Sequence, residues 1–151
     1  MRWLDTRVPP PVVLLVMGTL ALAIARLVPN PHVPVPMAAI GIFVCAGLAL
    51  NVIPKCVFHK AGTTTSPLRP EASSRLITSG AYRFTRNPMY LGHSLMLLGW
   101  VLHLGSVAAM ATVPAFVLYV SRFQIAPEER CLSARFPDTY PVFCRQVPRW
   151  I

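Results

Sequence analysis

Four apolar blocks constrain what this 151-residue chain can fold into. Residues 12–28, 36–57, 88–105 and 107–125 are almost unbroken runs of hydrophobic side chains, long enough or nearly so to cross the roughly 30 Å hydrocarbon core of a bilayer. A soluble domain would instead repeat its apolar positions about every 3.6 or 2 residues, leaving a polar face. With 54% hydrophobic and 13% charged residues and a mean hydropathy of +0.54, there are too few polar residues for such a face. The expected fold is all-α: a polytopic membrane protein of about four transmembrane helices plus a C-terminal interfacial helix. The first block is the shortest, follows an Arg-bearing start and offers small residues at 21–25, so a cleaved leader has to be weighed. The Pro-Asn-Pro-His-Val-Pro-Val-Pro segment at 29–36 reads instead as a tight turn into a second span.

A formal charge of +9 would point to nucleic acid in a soluble protein, but the placement of the charges excludes that partner here. Of 14 Lys and Arg, only Arg26 falls toward the opposite face. That asymmetry puts both termini and the central loop in the cytoplasm and residues 29–35 and 105–106 outside. The chain then divides as one membrane domain: an N-terminal helical hairpin (12–57), a cytoplasmic cap loop (58–87), a second hairpin (88–125) and a cytoplasmic C-terminal segment (126–151). Pro54 is expected to bend or end the second helix. In the tail, Leu132, Phe136, Tyr140 and Phe143 recur near helical spacing with Arg130, Arg135 and Arg145 between them, the pattern of an interfacial segment that Pro137 and Pro141 break into pieces. Some of these cations are expected to meet anionic lipid headgroups.

The second hairpin carries the chemistry. Arg86-Asn87-Pro88-Met89-Tyr90-Leu91-Gly92 opens its first helix, and Glu128-Glu129 follows its second, 36 residues after Gly92. Two antiparallel helices of equal length return the chain to the depth it left, so Arg86 and Glu128 belong at one level. Ionisable groups held at a membrane mouth mark a functional site by default. The bland alternatives are a snorkelling Arg86, an Asn87 cap with Pro88 in the first turn, Tyr90 in an aromatic belt, and acids placed at a fresh helix start after a turn at Ala126-Pro127. Gly92, Gly99 and Ser106 recur every seven residues as a smooth packing stripe. His93 and His103 lie about 15 Å apart along a helix and cannot share an ion, and the four cysteines form no Cys-x-x-Cys pair, so no metal is expected.

These residues resemble the membrane-embedded S-adenosylmethionine-dependent methyltransferases, a family that includes isoprenylcysteine carboxyl methyltransferase and the phospholipid N-methyltransferases. The family pattern Arg-His-Pro-x-Tyr-x-Gly, a hydrophobic stretch and Glu-Glu is matched by residues 86–92, 96–125 and 128–129. Leu76-Ile77-Thr78-Ser79-Gly80-Ala81-Tyr82 resembles its Leu-Val-x-x-Gly-x-Tyr, while Leu132, Phe136, Tyr140 and Val147-Pro148 resemble its tail. The likeness covers residues 74–150. It implies S-adenosylmethionine as methyl donor, S-adenosylhomocysteine as product, and cofactor contacts from Ser74, Leu76, Ile77, Tyr82, Asn87, Pro88, Met89, Tyr90, Glu128 and its neighbour Glu129. Arg86 is expected to orient the acceptor or the cofactor carboxylate. Members acting on prenylcysteine carry an arginine four residues before the first Glu; that position is Gln124 here, with Arg122 nearby, so Arg86, Arg122 and Gln124 are the catalytic candidates. Asn87 stands for the usual His and cannot titrate, and Pro137 replaces a Gly.

The implied acceptor is a carboxylate or thiolate of a lipophilic small molecule arriving from the bilayer, since an amine would call for a base that the motifs do not offer. The bacterial inner membrane, with the active site facing the cytoplasm, is the expected location. Two other readings stand beside it. Phe143-Cys144-Arg145-Gln146-Val147-Pro148 resembles the ending of NADPH-dependent membrane sterol reductases, and a non-catalytic membrane partner or transporter would use Arg86 and the two acids only as topology anchors.

Overall fold

The computed structural model describes residues 8–60 and 76–151, with side chains except at 57–60. Ser74 and the 61–75 part of the expected cap loop lie outside the described residues. The described residues form α1 (Pro10–Leu27), α2 (Met37–Lys60), a 3₁₀ turn (Gly80–Arg83), α3 (Pro88–Leu104), α4 (Thr112–Val120), α5 (Ala126–Arg135) and α6 (Thr139–Gln146). Among the described residues, three helical stretches are long and apolar enough to cross a membrane: Pro10–Leu27, Met37–Cys56 and the run Ala108–Arg135. The fourth expected span is α3, an apolar helix of 17 residues, about 26 Å.

Proline explains where several elements start. Pro10 and Pro88 both sit in the first turn of their helices, where a missing N–H costs nothing. Pro54 lies buried within α2, which runs on to Lys60, so it does not end that helix as one sequence reading allowed. Pro141 likewise falls in the first turn of α6 and leaves it intact; the break lies at 136–138, around Pro137.

Packing places α3 at the centre. Its main partner is α2, it also lies against α1, and α1 in turn packs on α4. Helices α1 and α2, consecutive in sequence, are therefore separated by α3 rather than closed into a packed pair. The α2–α3 seam is tight because of glycine. A Cβ on Gly92 would sit 2.6 Å from the Gly47 carbonyl oxygen and against the Asn51 amide, and one on Gly99 would meet Val44 at 2.8 Å. The expected stripe thus packs at Gly92 and Gly99, whereas Ser106 serves a turn. There, Ser106 Oγ donates to Asn30 Oδ1 at 2.8 Å and the Val33 amide donates to the Gly105 carbonyl at 2.8 Å, tying the α1–α2 and α3–α4 connections together. Gly105 ends α3 at φ +63°, a left-handed conformation, with His32 lying where a Cβ would be.

In a helix, Gly→Ala gains up to about 1 kcal/mol from propensity, while overpacking a tight seam costs about 1–3 kcal/mol. Gly92→Ala should therefore lower the melting temperature in detergent. Gly41→Ala, whose new methyl meets nothing within 4 Å, should leave it unchanged or raise it. Equal shifts from the two variants would contradict the seam.

Candidate functional site

The chain does not turn after Ile125. The helix widens over Ser121–Ile125 into a π-turn, with the Ala126 amide donating to the Ser121 carbonyl five residues back, and continues as α5. The cause is Pro127, which has no N–H and whose ring would strike the Phe123 carbonyl in a regular helix. Glu128 and Glu129 are consequently not at a free helix start, and the dipole-complementing reading of the pair fails. The extra residue in the π-turn also rotates α5 by about 100° relative to α4. Phe116 and Val120 of α4 stay in the bundle core, while Glu128 comes round to face α3.

Tyr90 and Glu128 meet. The Tyr90 hydroxyl donates to Glu128 Oε2 at 3.1 Å. Tyr82, on the 3₁₀ turn, lies within electrostatic range of both, and its hydroxyl is pushed above the usual phenol range, first by burial and then by the charge on Glu128. It is therefore a neutral group at physiological pH. Tyr82 and Leu76 pack against a small core of Tyr140, Phe143 and Val147, which brings the segment after the cap and the tail to the same place. Ile77 is half-buried beside Leu76 in the chain.

Glu129 does something different from its neighbour. Its Oε1 accepts from Arg86 Nη1 at 2.8 Å and from Arg149 Nε at 3.1 Å, and its Oε2 accepts from Arg149 Nη2. Arg86 also donates to Cys144 Sγ at 2.9 Å, so its guanidinium is taken up between α5 and α6. The charge of Glu129 also reaches Tyr140, whose hydroxyl lies above the usual phenol range, mainly through burial.

The start of α3 is held by the tail's backbone. The Arg86 amide donates to the Pro148 carbonyl at 3.0 Å, and Asn87 Nδ2 and Thr85 Oγ1 donate to the Arg149 carbonyl at 2.9 and 3.3 Å. Asn87 thus stands at the N-cap position without capping; its side chain binds the tail instead. Pro88 is buried, and the Met89 carbonyl accepts from His93 Nδ1 at 2.7 Å.

Of the remaining candidates, Gln124 is buried but turned away from this cluster, its Nε2 donating to the Val8 carbonyl at 2.7 Å and so fastening the start of α1. Arg122 is exposed and lies over the Phe123 ring, 5.6 Å from its centre. Neither joins Tyr82, Tyr90 and Glu128. Sequence reasoning missed Arg149 and Thr85. Two acids facing a membrane-mouth arginine left one countercharge unaccounted for, and Arg149, just past Val147-Pro148, was the available signal.

The phospholipid methyltransferase family matches residues 35–139, a stretch that holds α2, α3, the π-turn and both glutamates. The chain belongs to this family of integral membrane methyltransferases. Over 63 residues, 42% of this chain and the full length of the relative, it is 43% identical to an uncharacterized protein of Haemophilus influenzae. No solved structure matches it. Three membrane-capable helices and the family together make this an integral membrane protein.

Because Gln124 holds α1 while Arg122 is exposed and only lies over the half-buried Phe123 ring, the two should separate on mutation. Gln124→Ala is expected to cost about 1–3 kcal/mol, from the lost hydrogen bond and the space left behind, and Arg122→Ala close to nothing. Melting temperatures of the two variants in detergent check this; equal losses would contradict the assignment.

Proposed function

We propose that this protein binds S-adenosylmethionine at the Tyr82, Tyr90 and Glu128 cluster and transfers its methyl group to a lipophilic acceptor reached from the bilayer. The observation that carries the reading is the state of Glu128. One carboxylate oxygen accepts from Tyr90, and the other has no partner among the described residues, so the group retains acceptor capacity for an ammonium or a ribose hydroxyl. Arg86 Nε, buried and without a partner among the described residues, is a matching donor for a carboxylate. These unmet groups fit the amino acid end of the cofactor. Tyr82 and Leu76, on the apolar patch shared with the tail, offer a surface for its adenosine. The cofactor supplies an electrophilic methyl on a cationic sulfonium.

The chain's own part is to hold, orient and dry the site. Tyr90 fixes the Glu128 carboxylate, and the 85–87 turn keeps its place through the tail. Asn87 hydrogen-bonds without titrating, so proton transfer does not run through it. Water exclusion at a membrane mouth favours transfer to an anionic nucleophile, because charge is neutralised as the methyl moves. A carboxylate or thiolate on a lipophilic molecule is the acceptor class this favours. Family membership favours methyl transfer over reductase chemistry, and a site facing the cytoplasm of a bacterial inner membrane agrees with the positions of the cations.

Calorimetry of the purified protein in detergent should register S-adenosylhomocysteine at roughly micromolar Kd, about 8 kcal/mol of binding. Glu128→Gln should weaken it by about tenfold or more, through loss of a charge-assisted contact. Absence of binding to the unaltered protein removes the reading; equal binding by the variant removes Glu128 from it.

A further inference from the structure

We infer that Arg149 is a positioning residue of the methyl-donor site, holding the Thr85–Asn87 turn in register by clamping Glu129 while its backbone binds that turn. The inference rests on the cofactor reading above and adds a residue that lies outside the motifs and touches none of Tyr82, Tyr90 or Glu128 in the bonds described.

The geometry is a closed circuit. The Arg149 side chain grips both oxygens of Glu129, the fork-to-carboxylate arrangement that fixes orientation as well as charge. Its own carbonyl accepts from Asn87 Nδ2 and Thr85 Oγ1, and the carbonyl before it, on Pro148, accepts from the Arg86 amide. Arg86 then closes the circuit by donating to Glu129. Trp150 packs against the main core beyond Arg149, so the tail cannot swing away without exposing an aromatic ring. Glu129 sits next to Glu128 in α5. Fixing one carboxylate fixes the rotation of the helix and hence the direction of the other, toward Tyr90. The circuit therefore sets both halves of the site, the 85–90 turn and Glu128, from a residue at the far end of the chain.

Two measurements test this, one of them independent of any ligand. In Arg149→Ala, the Arg86 amide should exchange hydrogen markedly faster, because the tail carbonyl that protects it is released. S-adenosylhomocysteine affinity and the KM for the donor should worsen about tenfold, with kcat at saturating donor changed less. Arg149→Lys should recover part of the loss, since an ammonium keeps the charge but not the fork. Arg149→Ala combined with Glu129→Gln should be no worse than the poorer single variant, because the two act as one unit. An unchanged Arg86 amide, additive losses, or a lowered melting temperature with donor affinity intact would each overturn the inference. Should Arg149→Ala fail to fold, Arg149→Gln carries the same readouts. Failure of the unaltered protein to bind S-adenosylhomocysteine would instead remove the cofactor reading, leaving the exchange of the Arg86 amide to decide whether the tail holds the turn.

Discussion

A carboxylate with little access to water must be paired, and the pairing of Glu129 organises this end of the protein. Its side chain is 17% exposed and sits between two guanidiniums, one from the turn before α3 and one from the tail. Removing Arg86 would leave charge partly uncompensated in a poorly solvated place, which costs more than a surface ion pair contributes, whereas water screens part of the Arg149 contact because that side chain is 43% exposed. Three segments distant in sequence, 85–87, α5 and 147–150, are thereby fixed to one another. The adjacent Glu128 is left with an oxygen to spare. Two identical residues side by side have taken opposite roles because a helix points neighbours about 100° apart, and only one of those directions holds the arginines.

The π-turn makes this division possible. Without the added residue, α5 would continue the phase of α4 and its acids would emerge on a different side. A helix start at Ala126 would have given the same two acids a solvent-facing, dipole-complementing place. One proline, unable to join the regular hydrogen-bond ladder, converts an ordinary membrane helix into two segments of different phase that share one axis. Such insertions are frequent at functional sites, and here the reason is mechanical.

The hydrophobic blocks made the helices legible, because burying backbone polar groups in lipid leaves helices as almost the only choice for runs of this length. The meeting of Tyr90 with Glu128 was also legible, since an antiparallel return of equal length fixes depth without any knowledge of packing. What escaped was rotation and partner choice. Nothing in the order of α1 and α2 reveals that α3 separates them; that follows from the close approach permitted by Gly47 and Gly92, a property of two surfaces together. Gln124 and Arg122 were placed near the site by counting from Glu128, and the widened turn defeats such counting. Asn87 looked like a cap because the cap position favours Asn, yet its side chain makes no capping bond and instead donates to the Arg149 carbonyl of the tail.

The distribution of unmet polar groups separates the two ends of the bundle. At the end carrying Asn30, Ser106 and Gly105, backbone and side chains tie the two connections together, and the glycine in left-handed conformation removes the strain of the turn. The buried polar side-chain atoms without partners among the described residues are Arg86 Nε, Asn51 Oδ1 and Gln124 Oε1. All three belong to the other half: Arg86 just before α3, Asn51 against Gly92 near the start of α3, and Gln124 one turn before Glu128. Each such atom costs about 1–3 kcal/mol if nothing satisfies it, a large fraction of the stability of a small domain. A ligand bringing a carboxylate and hydrogen-bond donors would suit Arg86 Nε and the spare oxygen of Glu128, whereas Gln124 faces the start of α1. On the cofactor reading proposed above, the amino acid end of a sulfonium cofactor would bring Arg86 and Glu128, which are not paired with each other, into one site.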